Sequence, residues 1–293
     1  MDERISQTVA LDDRVVVVTG GGGAIGGAVC RLFAESGANV VVADILVDRV
    51  DEVVAAVEES GRRAVGLVAD LTSRDGIGEL VTSVDRSFGR VDVLVNAVGE
   101  HLSTAGAFQD SHEGDWQALY ESNLLHVFRA CHAFVPGMIE RGWGRIVNFS
   151  SVEGIRAAPA LAVYAAFKRG VDGFTKSLAV DLARHSVLVN AIAVDKTRSY
   201  QVDHYELPEP YASLTGNWIP VGRYGEPEDI ARIVLFLGSG LNTWITGQTV
   251  IADGGTLSAG GWYRTPERWT NQPLLVQYFE PLEENQNRPP MLR

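Results

Sequence analysis

Tyr164 and Lys168 stand four residues apart in a stretch with apolar residues at Phe167, Val171, Phe174 and Leu178, so a helix would present both on one face. A phenol with an ordinary pKa of about 10 is a poor base near neutral pH, and a neighbouring ammonium favours the phenolate. Such a pair could move a proton. Tyr-x-x-x-Lys alone is commonly no more than a surface pair, and it is Ser151 that changes the reading. This serine lies thirteen residues before Tyr164, closing the run Ile146-Val147-Asn148-Phe149-Ser150. That run reads as a strand, and ligands bind at the C-terminal ends of strands in parallel α/β sheets.

A second cluster is Thr19-Gly20-Gly21-Gly22-Gly23-Ala24-Ile25-Gly26-Gly27-Ala28, which follows the run Val15-Val16-Val17-Val18 and leads into an apolar helix with Val29, Leu32 and Phe33. Glycines let a backbone turn tightly and approach a pyrophosphate, whose charge is favoured by the N–H groups and dipole of a helix N-terminus. A further apolar run ends at Asp44, eighteen residues beyond Gly26. A carboxylate there accepts hydrogen bonds from adenosine ribose hydroxyls and repels a 2′-phosphate. Ile45 and Leu46 follow it with nothing cationic at hand, so NAD is expected rather than NADP.

These groups need a scaffold. Short β-branched runs occur at 14–19, 39–44, 64–70, 91–96, 144–150, 186–193 and 249–253, with helical patterns between them. Runs apolar on both faces suit strands covered on each side by helices, hence a Rossmann-type, doubly wound, seven-stranded parallel sheet of the α/β class. Residues 1–257 read as one domain, with a substrate-covering excursion at 195–220. Residues 258–293 read as an extension with five aromatic residues and five prolines, expected to dock on a neighbouring subunit or over the site.

Composition narrows the partners. A net charge of −12 without a basic run argues against nucleic acid, and no stretch is apolar for long enough to span a membrane. The polar first fourteen residues lack a signal-type core, so the protein is expected in the cytoplasm. Cys30 and Cys131 are the two cysteines, both in helical stretches, which excludes a disulfide scaffold and a Cys-pair metal site. No metal is expected, and the scattered histidines read as polar contacts.

With these motifs in order, residues 12–257 resemble the short-chain dehydrogenase/reductase family. Thr19 to Gly26 resembles its cofactor turn, Asn96-Ala97-Val98-Gly99 its Asn-Asn-Ala-Gly motif, and Asp70, followed by Leu71, the acid that touches the adenine. Asn123, Ser151, Tyr164 and Lys168 match its catalytic tetrad. The resemblance implies that Tyr164 exchanges a proton with the substrate oxygen while hydride passes to or from nicotinamide, and that Ser151 binds the same oxygen. It also implies that Lys168 lowers the Tyr164 pKa and holds the nicotinamide ribose, and that Asn123 binds a water linking Lys168 to solvent. A homotetramer or homodimer is expected by the same resemblance.

Three departures stand out. Ala24 replaces a glycine, which is harmless unless the position needs positive φ. Ala97 and Val98 replace Asn and Ala. Val194-Asp195 stands where Pro-Gly is usual, beside the expected nicotinamide, where Thr197 or Ser199 would supply a hydroxyl. The expected substrate is a small molecule, a bulky, apolar, cyclic or aromatic secondary alcohol or its ketone. It would be bounded by Leu102, Ile155, Leu161, Tyr200, Tyr205, Tyr211 and Trp218, with Glu153 and Arg156 close by. A 3-oxoacyl-thioester reductase, a ring cis-diol dehydrogenase and a non-catalytic NAD-binding protein remain as alternatives.

Overall fold

The structure is a computed structural model and describes residues 11–101, 104–200 and 215–261, together with the backbone of 263–264 and 269–270. The chain divides into two compact units, Met1–Glu206 with Tyr224–Asp253, and Leu207–Arg223 with Gly254–Arg293.

In the first unit, strands β1 (Val15–Thr19), β2 (Asn39–Asp44), β3 (Ala64–Val68), β4 (Val93–Asn96), β5 (Gly144–Ser151), β6 (Val187–Val194) and β7 (Thr249–Ala252) alternate with helices. The helices are α1 (Ala24–Glu35), α2 (Val47–Glu59), α3 (Arg74–Ser87), α4 (Glu113–Tyr120), α5 (His126–Arg141) and α6 (Ala162–Leu182), with α7 (Thr215–Trp218) in the second unit and α8 (Pro227–Gly238) back in the first. All seven predicted runs are strands, with bounds within two residues of those read from the sequence. They pair in parallel in the order β3-β2-β1-β4-β5-β6-β7. Strand order therefore reverses between β1 and β4, which opens a crevice at their C-terminal ends.

Valine repeats explain the two-sided cover. Val16 and Val18 pack on one face with Val29, Phe33, Val53 and Val234, while Val15 and Val17 pack on the other with Leu80, Val127, Phe134 and Val171. Each fully buried valine stabilises the fold by about 1.5–3 kcal/mol relative to exposure. At the opposite end of the sheet from the crevice, buried Asp92 accepts from Arg14 at 3.0 Å and from Arg90 at 2.6 Å and 2.9 Å. Charge there is paired and structural.

Cys30 and Cys131 are both free thiols buried in helices, and burial pushes each up, Cys131 to about 12. Among the described residues, no helix is long and apolar enough to cross a membrane and no cluster of three or more His, Cys, Asp or Glu could hold a metal. In the second unit the Val221 N–H donates to the Gly254 carbonyl at 3.1 Å. Short α9 (Thr256–Ala259) is followed by the antiparallel pair β8 (Tyr263–Arg264) and β9 (Trp269–Thr270). The expected docking of the 258–293 extension turns on residues that lie largely outside the described ones, as do Leu102, Tyr205 and Tyr211.

Candidate active site

β5 carries Ser151 to the crevice, and α6 starts eleven residues later, which brings Tyr164 alongside. The Ser151 hydroxyl is hydrogen-bonded with the half-buried Tyr164 phenol and also accepts from the Glu153 N–H at 3.2 Å. Lys168, one turn further along α6, is buried, donates to the Phe149 carbonyl at 3.1 Å, and stands 5.8 Å from the Tyr164 ring centroid. Burial lowers the Lys168 ammonium to about 8, against the pull of Asp172 one turn later.

The Tyr164 phenol corrects the sequence expectation. Its pKa is raised: burial pushes it up, the Ser151 hydrogen bond works against this, and the Glu153 carboxylate adds to the rise. Lys168 does not depress it here, because Nζ is directed at the Phe149 carbonyl and over the ring, while desolvation of the phenolate dominates.

Asn123 is fully buried in a π-helical turn, Glu121–Leu125, that joins α4 to α5. The sequence pattern did not show this turn. Its amide nitrogen donates to the Glu100 carbonyl at 2.8 Å, the Leu119 carbonyl at 3.0 Å and Ser122 Oγ at 2.9 Å, while Oδ1 has no partner. A buried acceptor left open beside Lys168 suits the expected water. Gly99, at φ +152°, is what lets these groups meet: a Cβ there would lie 2.6 Å from Lys168 Nζ and 2.9 Å from Asn123 Oδ1. Gly99→Ala is expected to cost about 1 kcal/mol of stability, since the lysine end can swing away, yet to lower kcat/KM about 100-fold by displacing it. Thermal melting and steady-state kinetics of the same preparation check both halves.

The cofactor residues assemble around the β1–β4 crevice. α1 opens on Gly23 with no side-chain cap and no acid in its first turn, so the N-terminal end formed by Ala24, Ile25 and Gly26 is disposed to take an anion. A Cβ at Gly26 would fall 2.0 Å from the Gly20 carbonyl oxygen, so helix and turn touch as only glycine permits. Ala24 is not at positive φ, so its replacement of glycine is accommodated. Ala97 N–H donates to the Thr19 carbonyl at 3.0 Å, which joins the Asn96-Ala97-Val98 segment to the turn. Asn96 donates to Asn148 Oδ1 at 2.9 Å and keeps its own Oδ1 without a partner.

Asp44 accepts from the N–H groups of Gly22 at 3.1 Å, Ile45 at 2.8 Å and Leu46 at 3.3 Å, and Ile45 is 63% exposed beside it. Asp70 is exposed and holds its own turn by accepting from Thr72, while Leu71 is buried. The Cβ of Arg49, in the first turn of α2, lies 3.0 Å from where a Cβ on Gly22 would fall, and its guanidinium stacks on Tyr200 at 3.6 Å. Val194 ends β6, and Thr197, buried, bridges to Gly225. Ile155 and Leu161 flank the Ser151 turn, whereas Trp218 belongs to the second unit.

Known proteins bear on this arrangement. A family model described as Enoyl-(Acyl carrier protein) reductase matches residues 22–256. The 3-oxoacyl-[acyl-carrier-protein] reductase of Thermotoga maritima is 38% identical over 245 residues, covering 84% of this chain and 98% of that protein. Among solved structures, a 7α-hydroxysteroid dehydrogenase with NADH and 7-oxo glycochenodeoxycholic acid superposes with a TM-score of 0.80 at 30% identity, over 85% of this chain and 96% of the other. A gluconate 5-dehydrogenase from Burkholderia cenocepacia, with NADP and tartrate, gives 0.79 at 29% identity, over 87% and 99%. With its parallel sheet, its glycine turn at the point where strand order reverses, and relatives of this kind along most of its length, the chain belongs to the short-chain dehydrogenase/reductase family, nicotinamide-dependent oxidoreductases acting on CH–OH donors.

Proposed function

We propose that the protein is an NAD-dependent dehydrogenase of a bulky, largely apolar secondary alcohol, or the reductase of the corresponding ketone, with Asn123, Ser151, Tyr164 and Lys168 carrying the chemistry. The observation that supports it most is the Tyr164 phenol hydrogen-bonded with Ser151 at the end of β5, with buried Lys168 behind it. The dinucleotide, when bound, supplies the carbon that accepts or gives up hydride. Tyr164 takes the hydroxyl proton as the carbinol carbon loses hydride, and returns it in the reverse direction; Ser151 holds the same oxygen. Lys168 holds the nicotinamide ribose, and Thr197 the carboxamide side. Positioning supplies much of the remaining acceleration.

NAD is favoured by the Asp44 carboxylate, which faces the Gly22 N–H where the adenosine ribose would lie. Asp44→Ala with Ile45→Arg is expected to reverse the preference by at least about tenfold in kcat/KM. A wild type that already prefers NADP in that assay would refute the assignment. The substrate class is tested by oxidising a panel of cyclic and aromatic secondary alcohols with NAD⁺ and NADP⁺ and following the absorbance of the reduced cofactor. Fast turnover of acyl-carrier thioesters, the activity named for the Thermotoga relative, would replace this reading with the thioester one. A net charge of −12 disfavours docking an acidic carrier. A homotetramer or homodimer completes the proposal. An apolar groove of about 800 Å³, lined by Ile77, Val81, Phe128, Val135, Phe174 and Leu178 of α3, α5 and α6, offers a face for a second copy. Sedimentation measures it directly.

A further inference from the structure

Arg156 joins the ends of two neighbouring strands. One terminal nitrogen donates to Glu153 Oε1 at 2.9 Å and to Asp195 Oδ2 at 3.0 Å, and Nε approaches Glu153 Oε2 at 3.4 Å. The Asp195 side chain is only 3% exposed, so its charge has been withdrawn from water and is paired with this guanidinium. Glu153 lies in the turn that follows Ser151 and donates its N–H to that hydroxyl at 3.2 Å. Asp195 directly follows β6, and the chain then runs to Thr197, while Arg198 N–H donates to the Gly225 carbonyl at 2.8 Å. A single side chain thus ties the serine turn to the segment 195–198.

Glu153, one end of this bridge, also acts on Tyr164. Around that ring stand Ser151 from β5, Glu153 from the turn after it, Lys168 from α6 itself, and His101, edge-on at 6.5 Å, from the segment after β4. Of these Glu153 is the acid, and its charge opposes ionisation of the phenol. Arg156 is its cationic partner.

We propose that Arg156 is a positioning residue for proton transfer, fixing the Ser151 turn against segment 195–198 and neutralising Glu153 beside Tyr164. This rests on the dehydrogenase reading above. It also gives Asp195 a task at the position where the sequence departs from the family's Pro-Gly. Removing the cation frees a carboxylate next to the phenol and releases the segment that carries Thr197. Those are separable effects, one electrostatic and one mechanical.

The test uses the full-length protein with Arg156→Gln, Glu153→Gln and the double variant. Arg156→Gln is expected to move the rising limb of kcat/KM for alcohol oxidation upward by about one pH unit, a roughly tenfold loss near pH 7. The double variant should return the limb to its wild-type position, because the acid has gone as well, but it should keep the weaker NADH binding, raised about fivefold in Kd, of a loosened segment. A shift that persists in the double variant, or no shift in Arg156→Gln, overturns the proposal. Should the wild type oxidise no alcohol with either cofactor, the functional reading fails by itself. The inference is then judged by NADH fluorescence titration, where an unchanged Kd in Arg156→Gln sinks it. If Arg156→Gln does not fold, Asp195→Asn breaks one link isosterically and is expected to weaken NADH binding in the same direction; an unaltered Kd there counts against the bridge.

Discussion

Tyr164→Phe is expected to lower kcat at least about 1000-fold while leaving the Kd for NADH within about twofold, since the substitution removes only the atom that exchanges the proton. The ring stays, and with it the packing that places Lys168 5.8 Å from its centroid. The hydrogen bond with Ser151 is lost, and the serine retains the Glu153 N–H. Stopped-flow or steady-state rates beside a fluorescence titration measure the two quantities on one sample. Residual turnover within tenfold of wild type would place the acid/base elsewhere.

Lys168→Met is expected to do two opposite things: abolish turnover, by about 1000-fold or more, and stabilise the cofactor-free protein below pH 8 by about 1–2 kcal/mol. The lysine is buried and its folded pKa is about 8 against an ordinary 10.5. Below pH 8 the amine is charged in both folded and unfolded chains, and the burial penalty, about 3 kcal/mol for such a shift, is fully felt. Methionine removes that penalty and forfeits the hydrogen bond to the Phe149 carbonyl, worth about 1 kcal/mol. Between pH 8 and 10.5 the unfolded state binds more protons, so wild-type stability rises with pH through that window while the variant's lacks this rise. Melting curves below pH 8 and above 10.5 should therefore show a gap that closes and then reverses, leaving the wild type ahead by about the 1 kcal/mol of its hydrogen bond. A variant less stable than wild type at neutral pH would show that the ammonium is better compensated than its burial indicates.

The strands were legible because continuous β-branched runs such as Val15 to Val18 leave no polar face, so their cover by helices on both sides follows from side-chain chemistry alone. The glycine turn, Asp44 and the Tyr164–Lys168 spacing were legible for a similar reason: each is a local pattern in which neighbours in sequence are neighbours in space. What escaped needed tertiary placement. Arg156 meets Asp195 across 39 residues, at the ends of adjacent strands. The Tyr164 pKa was misjudged because helical spacing gives proximity but not desolvation, and here desolvation is the larger effect.

Asn123 reaches its place through a five-residue π turn set between two ordinary helices. Such a turn holds one residue more than the α-helical path would, so every position beyond it is rotated relative to those before. Anyone transplanting the four chemical side chains onto another parallel sheet must copy that surplus residue too. Deleting Leu124 would leave all four chemical side chains in the sequence and turn the Asn123 amide away from Lys168.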